Sequence, residues 1–285
     1  MSGVPPVDPL RAPGRGRGEL LLRVCSALVL APLAIVTAYI GGWWFAVFWG
    51  IAALGTFWEW SSLMAVSHRR SIMTTAAFSV ALAIALAAGG HAALGLIVLA
   101  MGTIATASLA PAQERVWLAA GVPYAGSIAA APIILRADAH YGFLAVLFLF
   151  AIVWGTDIVG YFLGRAIGGA KLLPQVSPKK TWSGAIAGTA AAIVAGVIVA
   201  RAAGVAGSFA LAMLAAALSI VAQAGDLLES FLKRRFGAKD SSRLIPGHGG
   251  LMDRLDAFVA ASVVATLIGI ARGGLEAPGR GLLVW

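Results

Sequence analysis

Four carboxylates stand out in a chain that is otherwise nearly all hydrocarbon. Asp226 and Glu229 lie three residues apart, as do Asp253 and Asp256, so that on helices each pair shares one face. Both pairs belong to one polar run from Gln223 to Asp256, QAGDLLESFLKRRFGAKDSSRLIPGHGGLMDRLD, which holds five of the twelve acidic residues. Between them come Lys233, Arg234, Arg235, Lys239 and Arg243, then the loop Gly247-His248-Gly249-Gly250. Paired acids suit a hard cation, a cationic run suits phosphates, and glycines let backbone N–H groups approach an anion. Together they are the parts of a site for metal-assisted phosphoryl or nucleotidyl transfer. The competing account, a cytoplasmic loop cross-linked by its own charges, leaves unexplained why four carboxylates gather beside apolar segments. His248 alone adds little, because a metal site would need companion His or Cys ligands that the loop lacks.

The elements that must hold these groups are membrane helices. Of 285 residues, 60% are hydrophobic and 12% charged, and the mean hydropathy is +0.90, which excludes a water-soluble core. Nine apolar stretches recur, at 20–40, 43–64, 72–88, 94–109, 116–135, 143–163, 184–200, 209–224 and 257–270. None alternates as a barrel strand does, so the spans are helices. The fold expected is all-α, a polytopic integral membrane protein of about nine transmembrane helices with a cytoplasmic N-terminus. Residues 1–19, rich in Pro, Gly and Arg, read as a disordered cytoplasmic tail, 20–140 as the N-terminal transmembrane helices, and 141–285 as the C-terminal transmembrane catalytic region. The single cysteine, Cys25, excludes an intramolecular disulfide.

Placing the N-terminus inside puts 17 of the 21 lysines and arginines in cytoplasmic segments and leaves only Arg136, Arg201, Arg272 and Arg280 outside. The net charge of +9 is then a topology signal and a headgroup contact, and no nucleic acid partner is expected. This topology brings the two acid pairs to one depth, since helix eight ends inside with Asp226 and Glu229 and helix nine starts inside with Asp253 and Asp256. Asp157, in WGTDIVGYFLGR, sits six residues before the inner end of helix six, about 9 Å below it. An ionisable group within a span usually marks function. Glu59, between Trp58 and Trp60 near the inner end of helix two, fits two accounts equally: a member of the same site, or an interfacial carboxylate in an aromatic belt. In KLLPQVSPKKTWSG, Lys179 and Lys180 are either phosphate contacts or a positive-inside loop anchored by Trp182. The C-terminal end of helix eight favours a cation beside Asp226, and the N-terminal end of helix nine favours a phosphate.

At this point a resemblance is carried by the residues. The run Ser230-Phe231-Leu232-Lys233-Arg234, then Lys239-Asp240, then Pro246-Gly247-His248-Gly249-Gly250-Leu251-Met252-Asp253-Arg254-Leu255-Asp256 resembles the signature of the phosphatidate cytidylyltransferase (CDP-diacylglycerol synthase) family. The segments Gln223 to Ser230 and Ser177 to Trp182 also resemble family motifs, so the likeness covers at least Trp154 to Asp256. One departure is Ser183, where the family usually has Glu. The resemblance implies transfer of the cytidylyl group of CTP to phosphatidate at the bilayer surface, with Mg²⁺ as cofactor. It implies Asp226 and Asp253 as principal metal ligands, supported by Glu229 and Asp256, with Lys233, Arg234 and Arg254 on phosphates. Lys179 and Lys180 would meet the lipid phosphate or the triphosphate, and Lys239, His248, Gly249, Gly250 and Asp157 complete the substrate-binding set. A homodimer is compatible with this reading. Alternatives are another membrane lipid-phosphate transferase, such as a CTP-dependent lipid kinase or a polyprenyl-phosphate sugar-phosphate transferase, and an anionic-solute transporter.

Overall fold

The computed structural model describes residues 15–63, 69–238, 241–242 and 249–285. Among them are ten helices and one two-stranded sheet: α1 (Arg15–Ile40), α2 (Gly42–Ser62), α3 (Arg69–Ala88), α4 (Ala92–Leu109), α5 (Arg115–Arg136), α6 (Gly142–Ile167), β1 (Lys171–Leu173), β2 (Ser177–Thr181), α7 (Trp182–Ala202), α8 (Ser208–Arg235), α9 (Met252–Gly273) and α10 (Pro278–Leu283). The all-α reading holds, and α1 to α9 follow the nine apolar stretches in order. Among the described residues seven helices, α3 to α9, are long and apolar enough to cross a membrane, and α2 is rich in tryptophan. Helix α1 begins at Arg15, inside the stretch read as a tail, and residues 1–14 lie outside the described residues.

Close helix crossings are made by glycines, because apolar helices in lipid gain most where backbones can approach. At the α6–α7 crossing a Cβ on Gly184 would lie 2.7 Å from the Gly160 carbonyl oxygen, and one on Gly188 would lie 2.6 Å from that of Thr156. At the α8–α9 crossing a Cβ on Gly225 would lie 2.7 Å from the carbonyl oxygen of Asp256. An aromatic cluster ties α2, α6 and α9 together, with Trp49 on Phe258 at 4.7 Å and Phe150 against Phe258 at 5.5 Å between ring centroids. The core therefore crosses the boundary drawn at residues 140 and 141.

Two elements were not expected from the sequence. The stretch before α7 is an antiparallel hairpin pairing Lys171 with Thr181 and Leu173 with Ser177. An isolated hairpin is marginal in water, but this one continues straight into α7, whose N-cap Thr181 accepts from the Gly184 N–H at 3.2 Å. Ser183 donates to the Gly168 carbonyl at 2.5 Å, tying the end of α6 to the start of α7. At the opposite end, α10 folds back on α9, where Arg272 donates to the carbonyls of Gly281 and Val284. One expectation is corrected. Helix α6 ends at Ile167, where Gly168 and Gly169 take positive φ, so Asp157 lies ten residues from the helix end, about 15 Å along the axis.

Candidate active site

Where α8 meets α9, the acid pairs converge. Lys233 of α8 sets its ammonium 2.7 Å from Glu229, one helical turn back, and 2.5 Å from Asp253 at the start of α9. One cation thus joins one carboxylate from each pair, which the shared-depth argument requires. Asp256 is buried and accepts the Ala257 N–H at 2.7 Å. It lies within electrostatic reach of Asp226, Glu229 and Asp157. Asp226 ion-pairs with Lys180 of β2 and accepts from Ser230 at 3.4 Å. Asp157 is exposed on α6, in electrostatic reach of Asp226, Lys180 and Arg254, so helix six does contribute to the same cluster.

The strand alternation of the hairpin separates two lysines that the sequence grouped. Lys180 turns toward α8 and Asp226, whereas Lys179 is exposed on the other face. Lys233, expected on a phosphate, here bridges two carboxylates. Arg234 is exposed and donates to the Ala238 carbonyl at 3.4 Å. Arg254 is exposed beside Asp157. Lys239 and His248 lie outside the described residues.

Asp253 is held more tightly than Asp226. Its Oδ2 accepts from the Ser241 N–H at 3.1 Å, the Ser241 hydroxyl at 2.9 Å and the Gly250 N–H at 2.8 Å, leaving Oδ1 to Lys233. Gly249 adopts φ +87°, and a Cβ there would lie 2.9 Å from Oδ2. The glycines do bring backbone N–H groups to an anion, but the anion is this carboxylate.

Two residues beside the cluster come from the N-terminal half of the chain, one of them the Glu59 whose role the sequence left open. Glu59 of α2 is fully buried and accepts the N–H groups of Leu251 and Met252 at 2.8 and 2.7 Å. The N-terminal end of α9 is therefore filled by Glu59, not left open for a phosphate, which corrects the helix-end assignment. Of the two accounts of Glu59, the interfacial one is overturned by its burial. Tyr124 of α5 packs tilted against Trp60 at 4.9 Å between ring centroids, and its buried hydroxyl has no hydrogen-bond partner among the described residues. It lies within electrostatic reach of Asp226, Glu229, Asp253 and Asp256. A lone tyrosine on an apolar helix gave no sequence signal.

The donor set fits a divalent cation. Among the described residues five carboxylates (Asp157, Asp226, Glu229, Asp253, Asp256) face three nearby cations (Lys180, Lys233, Arg254), and Glu229 Oε1 is buried without a hydrogen-bond partner. Among the described residues no three acidic side chains converge as a closed metal cage.

Beside the Lys180–Asp226 pair an apolar groove of about 580 Å³ runs between α7 and α8. Trp182, Ile186, Ala190, Ile193, Ile220 and Leu227 line it, with Thr189 and Gln223 as polar points. Leu227 follows Asp226 in α8 and Trp182 comes two residues after Lys180, so the groove adjoins the elements that carry this ion pair.

Comparison with known proteins supplies a family. The Cytidylyltransferase family profile matches residues 21–270. A protein of Brucella abortus named phosphatidate cytidylyltransferase is 43% identical over 252 residues, covering 88% of this chain and 93% of its own. One of the same name from Pseudomonas aeruginosa is 36% identical over 269 residues, covering 88% and 98%. A third, from Haemophilus influenzae, is 42% identical over 132 residues, covering 44% and 45%. The match spans both halves of a membrane-helix bundle that carries an acid cluster at one end, and the chain belongs to the cytidylyltransferase family.

Proposed function

We propose that this chain transfers the cytidylyl group of CTP to phosphatidate, giving CDP-diacylglycerol and pyrophosphate, at a site on the cytoplasmic side of the inner membrane. The observation that carries the reading is the carboxylate–lysine cluster at the α8–α9 junction, opening beside an apolar groove. Such a cluster handles phosphates, and the groove suits an acyl chain that stays in the leaflet while its headgroup reaches Lys180. CTP enters from the aqueous side.

In the reaction a phosphatidate oxygen attacks the α-phosphorus of CTP, a new P–O bond forms, and the bond to the β-phosphate oxygen breaks with pyrophosphate leaving. The nucleophile is already an anion, so no strong base is needed; the obstacle is bringing two anions together. Lys180 and Lys233 can turn from carboxylate to phosphate as substrate charge arrives. Arg254, exposed beside Asp157, extends the positive surface. Mg²⁺ would be held by Asp226 and by Oδ1 of Asp253, with Glu229 and Asp256 alongside, and when bound it supplies charge stabilisation at the α-phosphate and the leaving group.

The test is to incubate purified protein in detergent with labelled CTP, phosphatidate and Mg²⁺. Formation of CDP-lipid with equimolar pyrophosphate is expected. Binding of CTP without release of pyrophosphate would sink the proposal and favour a transporter, which moves its solute unchanged.

A further inference from the structure

Glu59 has no cation beside it among the described residues, yet its carboxylate is fully buried and fully engaged. Oε1 accepts from the Ser242 hydroxyl at 2.6 Å and the Leu251 N–H at 2.8 Å. Oε2 accepts from the Ser241 hydroxyl at 3.1 Å and the Met252 N–H at 2.7 Å. A carboxylate offers about four acceptor sites, and all four are used. Two donors come from the start of the 241–252 stretch and two from its end, where the first free N–H groups of α9 favour negative charge. The Ser241 hydroxyl is forked, pointing at Glu59 and at Asp253 Oδ2 at 2.9 Å. Gly250 is packed between these groups: a Cβ there would collide with the Ser241 hydroxyl and lie 2.6 Å from Glu59 Oε2.

We propose that Glu59 is a positioning residue for the transfer reaction: it clamps both ends of the 241–252 stretch onto α2 and, through Ser241, fixes the orientation of the Asp253 carboxylate. This rests on the cytidylyltransferase reading for its chemistry, but not for its geometry. The N-terminal half of the chain is then part of the catalytic apparatus. Leu251 and Met252 are fixed by Glu59 directly, and Asp253 follows them by one residue. A rotation of Asp253 about its own side chain is resisted by three donors, of which Ser241 supplies two. Misplacement of a reacting group by about 1 Å can cost on the order of 10²-fold in rate.

The experiment uses the full chain in detergent, as Glu59→Gln, Glu59→Asp, Ser241→Ala and the Glu59→Gln/Ser241→Ala double variant. Gln turns an amide NH₂ toward groups that are themselves donors, so Glu59→Gln is expected to lower kcat roughly tenfold or more, with KM for CTP and for phosphatidate within about threefold. Glu59→Asp keeps the charge and should recover part of that loss. Ser241→Ala leaves the grip on Leu251 and Met252 and should lower kcat less, with an unchanged melting midpoint. Because both act along one chain of contacts, the double variant should be no slower than Glu59→Gln. Hydrogen exchange without nucleotide or metal should show faster exchange at Leu251 and Met252 in Glu59→Gln. A Glu59→Gln protein that melts earlier but keeps wild-type kcat below its transition would reduce Glu59 to a helix cap and overturn the proposal, as would additive losses in the double variant. If the wild-type protein makes no CDP-lipid, the functional reading falls, and unchanged exchange at Leu251 and Met252 would separately overturn the clamp.

Discussion

Asp226 and Asp253 carry the same charge in unlike surroundings, and substitution should separate the two. Asp226 is partly open and paired with Lys180. Asp253 takes three loop donors and Lys233. Asp226→Asn and Asp253→Asn are both expected to lose ~10²-fold or more in turnover, since on the proposed reading each removes a full ligand charge from the cation that would stabilise the leaving group. Only Asp253→Asn should also lower stability, by about 1–3 kcal/mol, because its NH₂ would face the Lys233 ammonium or the loop donors. Turnover and melting measured on the same preparations check this, and smaller turnover losses are expected for Glu229→Gln and Asp256→Asn. Wild-type turnover in either Asn variant would remove the residue from the site. The acid pairs could be read from the sequence because i, i+3 spacing and helix parity fix both their face and their depth. Glu59 could not be assigned, since its partners lie 182 to 193 residues away and no local period reports a contact of that kind.

Between the single residues and the whole bundle stand α7, α8 and the hairpin, which together decide what lies next to Lys180. Helices α1 to α9 were legible because hydropathy over some twenty residues is a strong signal in lipid. The hairpin was not, since strands of three and five residues carry almost no pattern and owe their order to capping and to the ends of α6 and α7. Nor was the groove, which exists because α7 turns Gly184, Gly188, Ala192 and Gly196 inward, all buried, and leaves its larger side chains facing α8 and lipid. If the groove holds an acyl chain, filling it should act on chain length and not on chemistry. Ala190→Phe is expected to lower kcat/KM for long-chain phosphatidate at least about tenfold relative to a short-chain analogue, while KM for CTP stays unchanged. Equal losses on both lipids would mean that the groove does not hold the substrate.

At the scale of the molecule, one end of the bundle gathers the inner end of α2, the starts of α5, α7 and α9, and the ends of α6 and α8. The Glu59 clamp, the Trp60 indole donating to Trp117 at 2.9 Å and the Lys180–Asp226 pair link them. The side chains of three of the four basic residues assigned to the opposite end, Arg136, Arg201 and Arg272, have local employment there. Arg136 donates to the carbonyls of Ala38 and Tyr39, Arg201 to Ser208 at 2.6 Å, and Arg272 to Gly281 and Val284 while covering the Trp285 ring at 3.7 Å. The backbone N–H of Arg280 is held by Asp138 at 2.7 Å. Arginines that satisfy carbonyls or pack on a ring are structural, so they weigh little against the positive charge at the other end, where the lysines and arginines are largely exposed. The site end should therefore be cytoplasmic. In a Cys25→Ser background, a cysteine at Gln175 on the exposed hairpin tip should react with an impermeant maleimide only after the inner face is opened, and one at Glu276, exposed before α10, should react in intact cells. Both positions avoid Gly279, which is packed against the Tyr141–Gly142 backbone and would not tolerate a side chain. Labelling of Gln175→Cys in intact cells would invert the bundle, place the acid cluster away from cytoplasmic CTP and remove the basis for the inner-face assignment.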